Sequence, residues 1–184
     1  MRDRIDSFRD GIFALRTRRF GAVAELMIEG LYGFTKSHNQ FHDRFDETNG
    51  ERIEVKFSTA TRLHESVINR GNAINQCINA DPLLSVLCSN DINDIPFDCN
   101  IQQVKTNEFD ELYYGLFFKD RIAVFKMTAS EVVNCPGFSN KQHKGNLGEG
   151  QFHLNQSTIS WHLENHLKQW ITYSELYDLF ESMQ

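Results

Sequence analysis

Three ionisable residues, Asp43, Glu54 and Lys56, have types and spacing suited to metal-dependent chemistry. Hydrolysis of a phosphodiester bond with a metal ion needs hard oxygen ligands for Mg²⁺ and a group that orients or activates a water molecule. Two carboxylates and one lysine supply those parts. On a strand, the acid and the amine of Glu54-Val55-Lys56 project from one face, about 7 Å apart. These residues therefore predict a magnesium-dependent phosphodiesterase site.

The elements that must position these side chains form a β-hairpin over residues 41–58. The run FHDRFD is followed by the turn signal ETNG and then by RIEVKFS, in which polar and apolar residues alternate strictly. Ile53 and Val55 share one face of the second strand with the next phenylalanine, and Glu54 and Lys56 share the other. We expect the apolar face to pack and the polar face to carry the chemistry.

The length of the hairpin loop decides which acid lies beside Glu54, because directly opposite residues of an antiparallel pair point to the same face. A four-residue loop over 47–50 places Asp43 there, with Asp46 capping the turn and the last glycine left-handed. A three-residue loop over 48–50, with a bulge at the glycine, places Asp46 there instead. We favour the four-residue loop. Hydrophobic patterning does not settle the choice, since the phenylalanines before the turn fit the shorter loop better.

The sequence Asp43, ten further residues and Glu54-Val55-Lys56, with a helix expected on each side, resembles the motif of the PD-(D/E)XK nuclease superfamily. It is most similar in kind to the type II restriction endonucleases of that superfamily. The resemblance implies that Asp43, Glu54 and the Val55 carbonyl bind Mg²⁺. It also implies that Lys56 orients and polarises the attacking water.

Two further residues and one departure bear on this resemblance. Glu25 matches the acidic residue that many members place beside the metal, on the helix before the hairpin, and Gln76 matches a polar residue on the helix after it. His42 stands where the family name has proline. A Glu-x-Lys tripeptide by itself is a weak signal, because chance produces one about every 300 residues. A solvated sheet face is the alternative interpretation of Glu54 and Lys56.

The resemblance further implies double-stranded DNA as the substrate and a homodimer that cuts both strands. Basic or donor-rich residues beside the hairpin or in the glycine-rich C-terminal loop are predicted to contact the DNA: Arg62, Arg70, Lys141, His143, Lys144 and Gln151. The leading hypothesis is a Mg²⁺-dependent, sequence-specific type II endonuclease. The alternatives are a repair or phage-type nuclease with the same hairpin, and a non-catalytic α/β interaction module that binds a basic partner through residues 81–120.

The other periodicities predict a mixed β-sheet flanked by helices, in the α/β or α+β class, and the resemblance implies a restriction-endonuclease-like core. The expected elements are helices over 17–34 and 64–80, a strand over 83–89, a hairpin over 112–127, a strand at Gln151–Leu154, and helices opening at Ser157 and at Thr172 or Ser174. We expect one nuclease domain over 1–184. Its catalytic core covers about 17–127, and the C-terminal residues 128–184 hold a DNA-contacting loop and helices.

Composition and charge argue against a disordered, membrane-spanning or secreted protein. Hydrophobic residues make up 40% and charged residues 24% of the 184 residues, which is typical of a globular protein and not of a disordered one. No apolar run approaches the ~20 residues of a membrane span, and the first residues lack a secretory signal, so we expect a cytoplasmic protein. The net charge of −6 is matched by residues 81–120 alone, with eight acids against two lysines, which leaves room for basic faces elsewhere.

The cysteines and the histidine pair are potential metal ligands, but we do not expect either set to bind a metal. The four cysteines form no C-x-x-C pair, so we expect reduced thiols and no zinc site. His162 and His166 are one helical turn apart, but the order of the residues between them fits no metalloprotease pattern. We expect them to be polar residues on a helix surface.

Overall fold

Nine strands form two sheets in the computed structural model, which describes residues 3–63, 67–81, 83–141 and 147–184. In chain order the strands are β1 (Thr35–Lys36), β2 (Arg44–Asp46), β3 (Glu51–Thr59), β4 (Asp98–Val104), β5 (Glu111–Phe117), β6 (Arg121–Thr128), β7 (Ser139–Lys141), β8 (Leu147–Asn155) and β9 (Leu167–Thr172). The six-stranded sheet has the order β1-β2-β3-β5-β6-β9, with β3 and β5 parallel and the other neighbouring pairs antiparallel. The sheet is therefore mixed, as predicted.

One face of this sheet packs on helices from both ends of the chain. In chain order the helices of the described residues are α1 (Arg4–Phe13), α2 (Thr17–Tyr32), α3 (Ala73–Ile78), α4 (Ala129–Val132), α5 (Ile159–Asn165) and α6 (Tyr173–Ser182). Those that pack on this face are α1, α2 and α6. α2 confirms the predicted first long helix and ends at Gly33, whose φ of 72° is left-handed. Its buried Met27 and Ile28 share a core with Ile53 and Val55 of β3 and with residues of α1 and α6. The apolar face of β3 thus packs as predicted.

The other face of the sheet packs on a second, three-stranded antiparallel sheet of order β4-β8-β7 and on α5. Tyr114, Phe125 and Phe152 lie at the centre of this second core and are each 0% exposed. All seven residues of β5 are buried, because the strand is covered on both faces. The β5–β6 hairpin confirms the hairpin predicted over 112–127.

The helix predicted over 64–80 is wrong for most of its length. Residues 64–66 lie outside the described residues, and only Ala73–Ile78 is helical. Upstream, the Asn69 side chain accepts from the Gly71 N–H (2.9 Å), and the Asn72 side chain accepts from the Asn69 N–H (2.7 Å). Asparagine side chains compete with the helical hydrogen bonds in this way, so a turn replaces the expected helix start.

The strand predicted over 83–89 is also wrong. The segment makes a single bridge, between Thr61 and Val86, and then enters a 3₁₀ helix at Ser89–Asp91. The Leu87 N–H donates to the Ala60 carbonyl (2.9 Å), and the Leu87 carbonyl accepts from the Lys119 N–H (2.8 Å). The segment is therefore a largely buried loop held by isolated backbone hydrogen bonds. Its run of apolar residues resembles that of a buried strand, which explains the wrong prediction.

The C-terminal residues contribute strands as well as helices. β8 is nine residues long and extends the short strand predicted at Gln151–Leu154, while β9 adds an edge strand to the main sheet. α6 begins where predicted, because Thr172 and Glu175 form a capping box. Within the described part of the chain, none of the helices is long and apolar enough to cross a membrane.

Candidate active site

The turn of the β2–β3 hairpin has the four-residue form. Asp46 pairs with Glu51 and Arg44 pairs with Ile53. The Asp46 carboxylate accepts from the backbone N–H groups of Thr48 and Asn49 at 2.8 and 3.2 Å. Gly50 has a φ of 73°, as this loop requires. The favoured register is thereby confirmed, and Asp46 is occupied in the turn.

Asp43 immediately precedes the first residue of β2, beside the part of β3 that β2 does not pair with. Its N–H donates to the Ile53 carbonyl (3.0 Å), and its Oδ2 accepts from the Val55 N–H (2.9 Å). The N–H and the carbonyl of a strand residue point to the same side of the strand, so the Val55 carbonyl is also directed to the Asp43 side. Asp43, Glu54 and Val55 thus present three oxygen donors at one strand edge.

Glu54 and Lys56 share one face of β3, as their spacing predicts. The Lys56 ammonium donates to Glu54 Oε1 and lies 3.8 Å from Asp43 Oδ2. The Glu54 side chain is only 11% exposed, against 25% for Lys56 and 27% for Asp43. The trio forms one contiguous and mostly buried cluster, so a fully solvated sheet face does not describe it.

The electrostatics of this cluster show an excess of negative charge. Burial raises the pKa of the Glu54 carboxyl to about 7; the Lys56 ammonium opposes the rise, and the Asp43 carboxylate adds to it. Burial alone lowers the pKa of Lys56, but the carboxylates of Glu54 and Asp43 outweigh burial and raise it. The raised pKa of Lys56 indicates that carboxylates dominate its surroundings, whereas the raised pKa of Glu54 comes mainly from burial.

Glu25 is held mainly by an arginine. Arg44, whose side chain is 6% exposed, lies 3.0 Å from Glu25 Oε2 and 2.8 Å from Glu29 Oε2, and so links β2 to α2. Burial and the nearby Asp43 carboxylate raise the pKa of Glu25, against the effect of Arg44. Asp43 therefore acts on Glu25 electrostatically, while the direct partner of Glu25 is Arg44. A direct role of Glu25 in metal binding stays a prediction.

A cleft of about 240 Å³ opens over the cluster. Its lining includes the three hairpin residues and six others that sequence reasoning did not single out: Gln40, Phe41, Gln103, Lys105, Glu108 and Glu149. Four of the six come from the second sheet or the turn after β4. They lie 47 or more residues from Lys56 in the chain, and no local motif marks them. The cleft thus lies where the second sheet meets the edge of β3.

The donor set suits a small hard cation better than a soft one. Among the described residues, no group of three or more His, Cys, Asp or Glu side chains is placed to bind one metal ion. Mg²⁺ is commonly bound through one or two carboxylates and several waters, so Asp43, Glu54 and a backbone carbonyl meet its needs. Zinc, which prefers histidine and cysteine, has no matching ligand set in this part of the chain.

Of the residues predicted to contact DNA, the four that the structure describes do not line the cleft. Arg62 and Arg70 are exposed on the segment after β3, Lys141 is exposed at the end of β7, and Gln151 is half-buried on β8. Gln151 Oε1 accepts from the Asn100 amide (3.0 Å) on the outer face of the second sheet. His143 and Lys144 lie outside the described residues, and the DNA contacts remain predictions.

Two residues from the other predictions have different surroundings than expected. Gln76 lies half-buried on α3, a helix with no fully buried residue, and it does not line the cleft. His162 is not on a helix surface, because it is 0% exposed and its Nδ1 lies 2.7 Å from the Tyr114 hydroxyl. Burial lowers the pKa of His162 to about 3, so the imidazole is neutral and structural.

No family model, no curated protein and no solved structure matches the chain.

Proposed function

We propose that this chain is a Mg²⁺-dependent, sequence-specific endonuclease of the type II restriction class, with a restriction-endonuclease-like core, that hydrolyses phosphodiester bonds of double-stranded DNA. The observation that carries the proposal is the convergence of Asp43, Glu54 and Lys56 in one cleft with surplus negative charge. Burial raises the pKa of Glu54 to about 7 although the Lys56 ammonium already contacts it, so a further cation would stabilise the ionised carboxylate.

The hairpin residues have distinct roles in this proposal. Asp43 and Glu54, with the Val55 carbonyl, would hold the metal ion beside the part of β3 that β2 does not pair with. When bound, Mg²⁺ would supply Lewis-acid chemistry to the phosphoryl group and to the attacking water. Lys56, kept charged by its two carboxylate neighbours, donates a proton in a hydrogen bond to the attacking water or to a phosphate oxygen.

DNA digestion tests this proposal. We expect purified protein with Mg²⁺ to cut a long DNA into discrete bands, and we expect Asp43→Ala and Lys56→Ala to be at least a hundredfold slower. Asp46→Ala is the matched control, because it removes an acid of the same hairpin that is occupied in the turn. An uncut DNA, or equal cutting by all three variants, contradicts the proposal. A smear instead of bands supports metal-dependent cleavage without sequence specificity and points to a repair or phage-type nuclease.

A homodimer is part of the proposal, since two strands must be cut. Large apolar side chains are unusually exposed along residues 63–84: Leu63, Val67, Ile68, Ile74, Ile78 and Leu84, each more than half exposed. Such a concentration is typical of a protein interface. We expect sedimentation to show a dimer that the pair Ile74→Asp and Ile78→Asp dissociates. Leu26→Asp, an exposed position on α2 outside residues 63–84, is the control and should leave the dimer intact.

A further inference from the structure

Gln103 adopts a backbone conformation that its residue type rarely tolerates. Its φ is 58°, and it is the one residue other than glycine with a positive φ among the described residues. Left-handed geometry brings Cβ close to the backbone, so glycine, asparagine and aspartate are the usual occupants. A strained glutamine persists only where the surrounding structure holds it, and such positions concentrate at functional sites.

The strain arises from a bulge in the second sheet. β4 pairs with β8 in regular register as far as Ile101, and the register shifts between Ile101 and Val104. Both of these residues are buried in the same core, although three positions apart in a regular strand would point to opposite faces. The bulge therefore keeps Val104 in the core and releases Gln103 from it.

The released side chain lines the cleft of Asp43, Glu54 and Lys56. Gln103 is exposed, and no hydrogen bond to its carboxamide is formed within the described ranges. The wall of the cleft is acidic on balance, because four carboxylates line it (Asp43, Glu54, Glu108 and Glu149) against the lysines Lys56 and Lys105. A carboxamide N–H donates to an anion without carrying charge itself, so it is compatible with that wall.

We propose that Gln103 is a substrate-contacting residue that donates a hydrogen bond from its carboxamide to a non-bridging phosphate oxygen of the strand bound in the cleft. The inference rests on the proposed nuclease function, because it takes the cleft to hold a phosphodiester. A hydrogen bond to a charged group contributes roughly a ten- to hundredfold gain in affinity. The backbone strain is then the cost of holding this donor at the site.

Two glycine variants test the inference. Gln103→Gly suits the left-handed backbone and removes the donor, while Gln102→Gly is the matched control at the neighbouring position, which does not line the cleft in the described structure. DNA affinity is measured with Ca²⁺ in place of Mg²⁺, and Mn²⁺ affinity and the melting temperature are measured in parallel. We expect Gln103→Gly to weaken DNA binding about tenfold or more, with unchanged Mn²⁺ affinity and an equal or higher melting temperature. Gln102→Gly should keep the DNA affinity and lower the melting temperature.

The outcomes separate this inference from the proposed function. If the wild type binds Mn²⁺ and cuts DNA, and Gln103→Gly binds and cuts DNA equally well, the inference fails alone. If Gln103 has only a structural role, Gln103→Gly changes the melting temperature but not the DNA affinity of the folded protein. That result also overturns the inference. A wild type that neither binds Mn²⁺ nor cuts DNA overturns both.

Discussion

Glu54→Gln is expected to stabilise the metal-free protein at neutral and alkaline pH. The Glu54 side chain is 11% exposed, and burial, reinforced by Asp43, raises its pKa from 4.5 to about 7. An ionised carboxylate at this position therefore destabilises the fold. Glutamine has nearly the shape of the protonated acid and carries no charge, so it retains the neutral form at every pH.

The size and sign of the effect follow from proton linkage. Below pH 4 the carboxyl is neutral in the folded and unfolded states, and the two proteins respond to pH alike. Between pH 4.5 and 7 the unfolded state releases its proton first, so the wild type loses stability at about 1.4 kcal/mol per pH unit. The total loss is about 3 kcal/mol and is complete above pH 7. The stability of Glu54→Gln relative to wild type should therefore rise by about 3 kcal/mol from pH 4 to pH 8.

Chemical denaturation in a chelating buffer at pH 4, 6 and 8 measures this difference. Glu164→Gln, on the exposed side of α5, is the matched control and should show no such change between pH 4 and pH 8. A Glu54→Gln difference that stays within about 0.5 kcal/mol over the whole range, like that of an ordinary surface substitution, refutes the reasoning. Such a result would mean that ionisation of Glu54 does not lower the free energy of unfolding.

Three further substitutions test contacts that hold the site and its supporting sheet, each by chemical denaturation. Arg44→Ala should cost about 3 kcal/mol, because it leaves two carboxylates of α2 without their buried partner; an unchanged midpoint contradicts the pairing. Tyr114→Phe should cost about 1–3 kcal/mol, because it leaves the buried Nδ1 of His162 unpaired, whereas a neutral result would mean that Nδ1 finds another donor. Thr172→Ala should cost about 1 kcal/mol through loss of the α6 cap, and a wild-type midpoint argues against the cap.

The hairpin could be predicted from the sequence because its determinants are local. The alternation of RIEVKFS assigns Ile53 and Val55 to the core and Glu54 and Lys56 to the opposite face, and both assignments agree with the structure. The register depends on a turn in which Asp46 binds the loop backbone, and that preference also lies within a few residues.

The second sheet could not be predicted in the same way. β4 is largely polar, its partner β8 lies about fifty residues later, and the bulge breaks its alternation between Ile101 and Val104. Pairing over such a distance leaves no periodic signal, so the cleft wall that contains Gln103 was not anticipated. The missed α1 differs, since Ile5, Phe8 and Ile12 have helical spacing and could have revealed it.

The central claim is that Asp43 and Glu54 form a divalent cation site, and calorimetric titration with Mn²⁺ at pH 8 tests it most directly. At that pH the Glu54 carboxyl, with a pKa of about 7, is mostly ionised, so protons compete little with Mn²⁺ for it. We predict that the wild type and Asp46→Asn bind Mn²⁺ alike and that Asp43→Asn binds at least tenfold more weakly. A wild type that binds no Mn²⁺, or an Asp43→Asn variant that binds it as well as wild type, contradicts the claim.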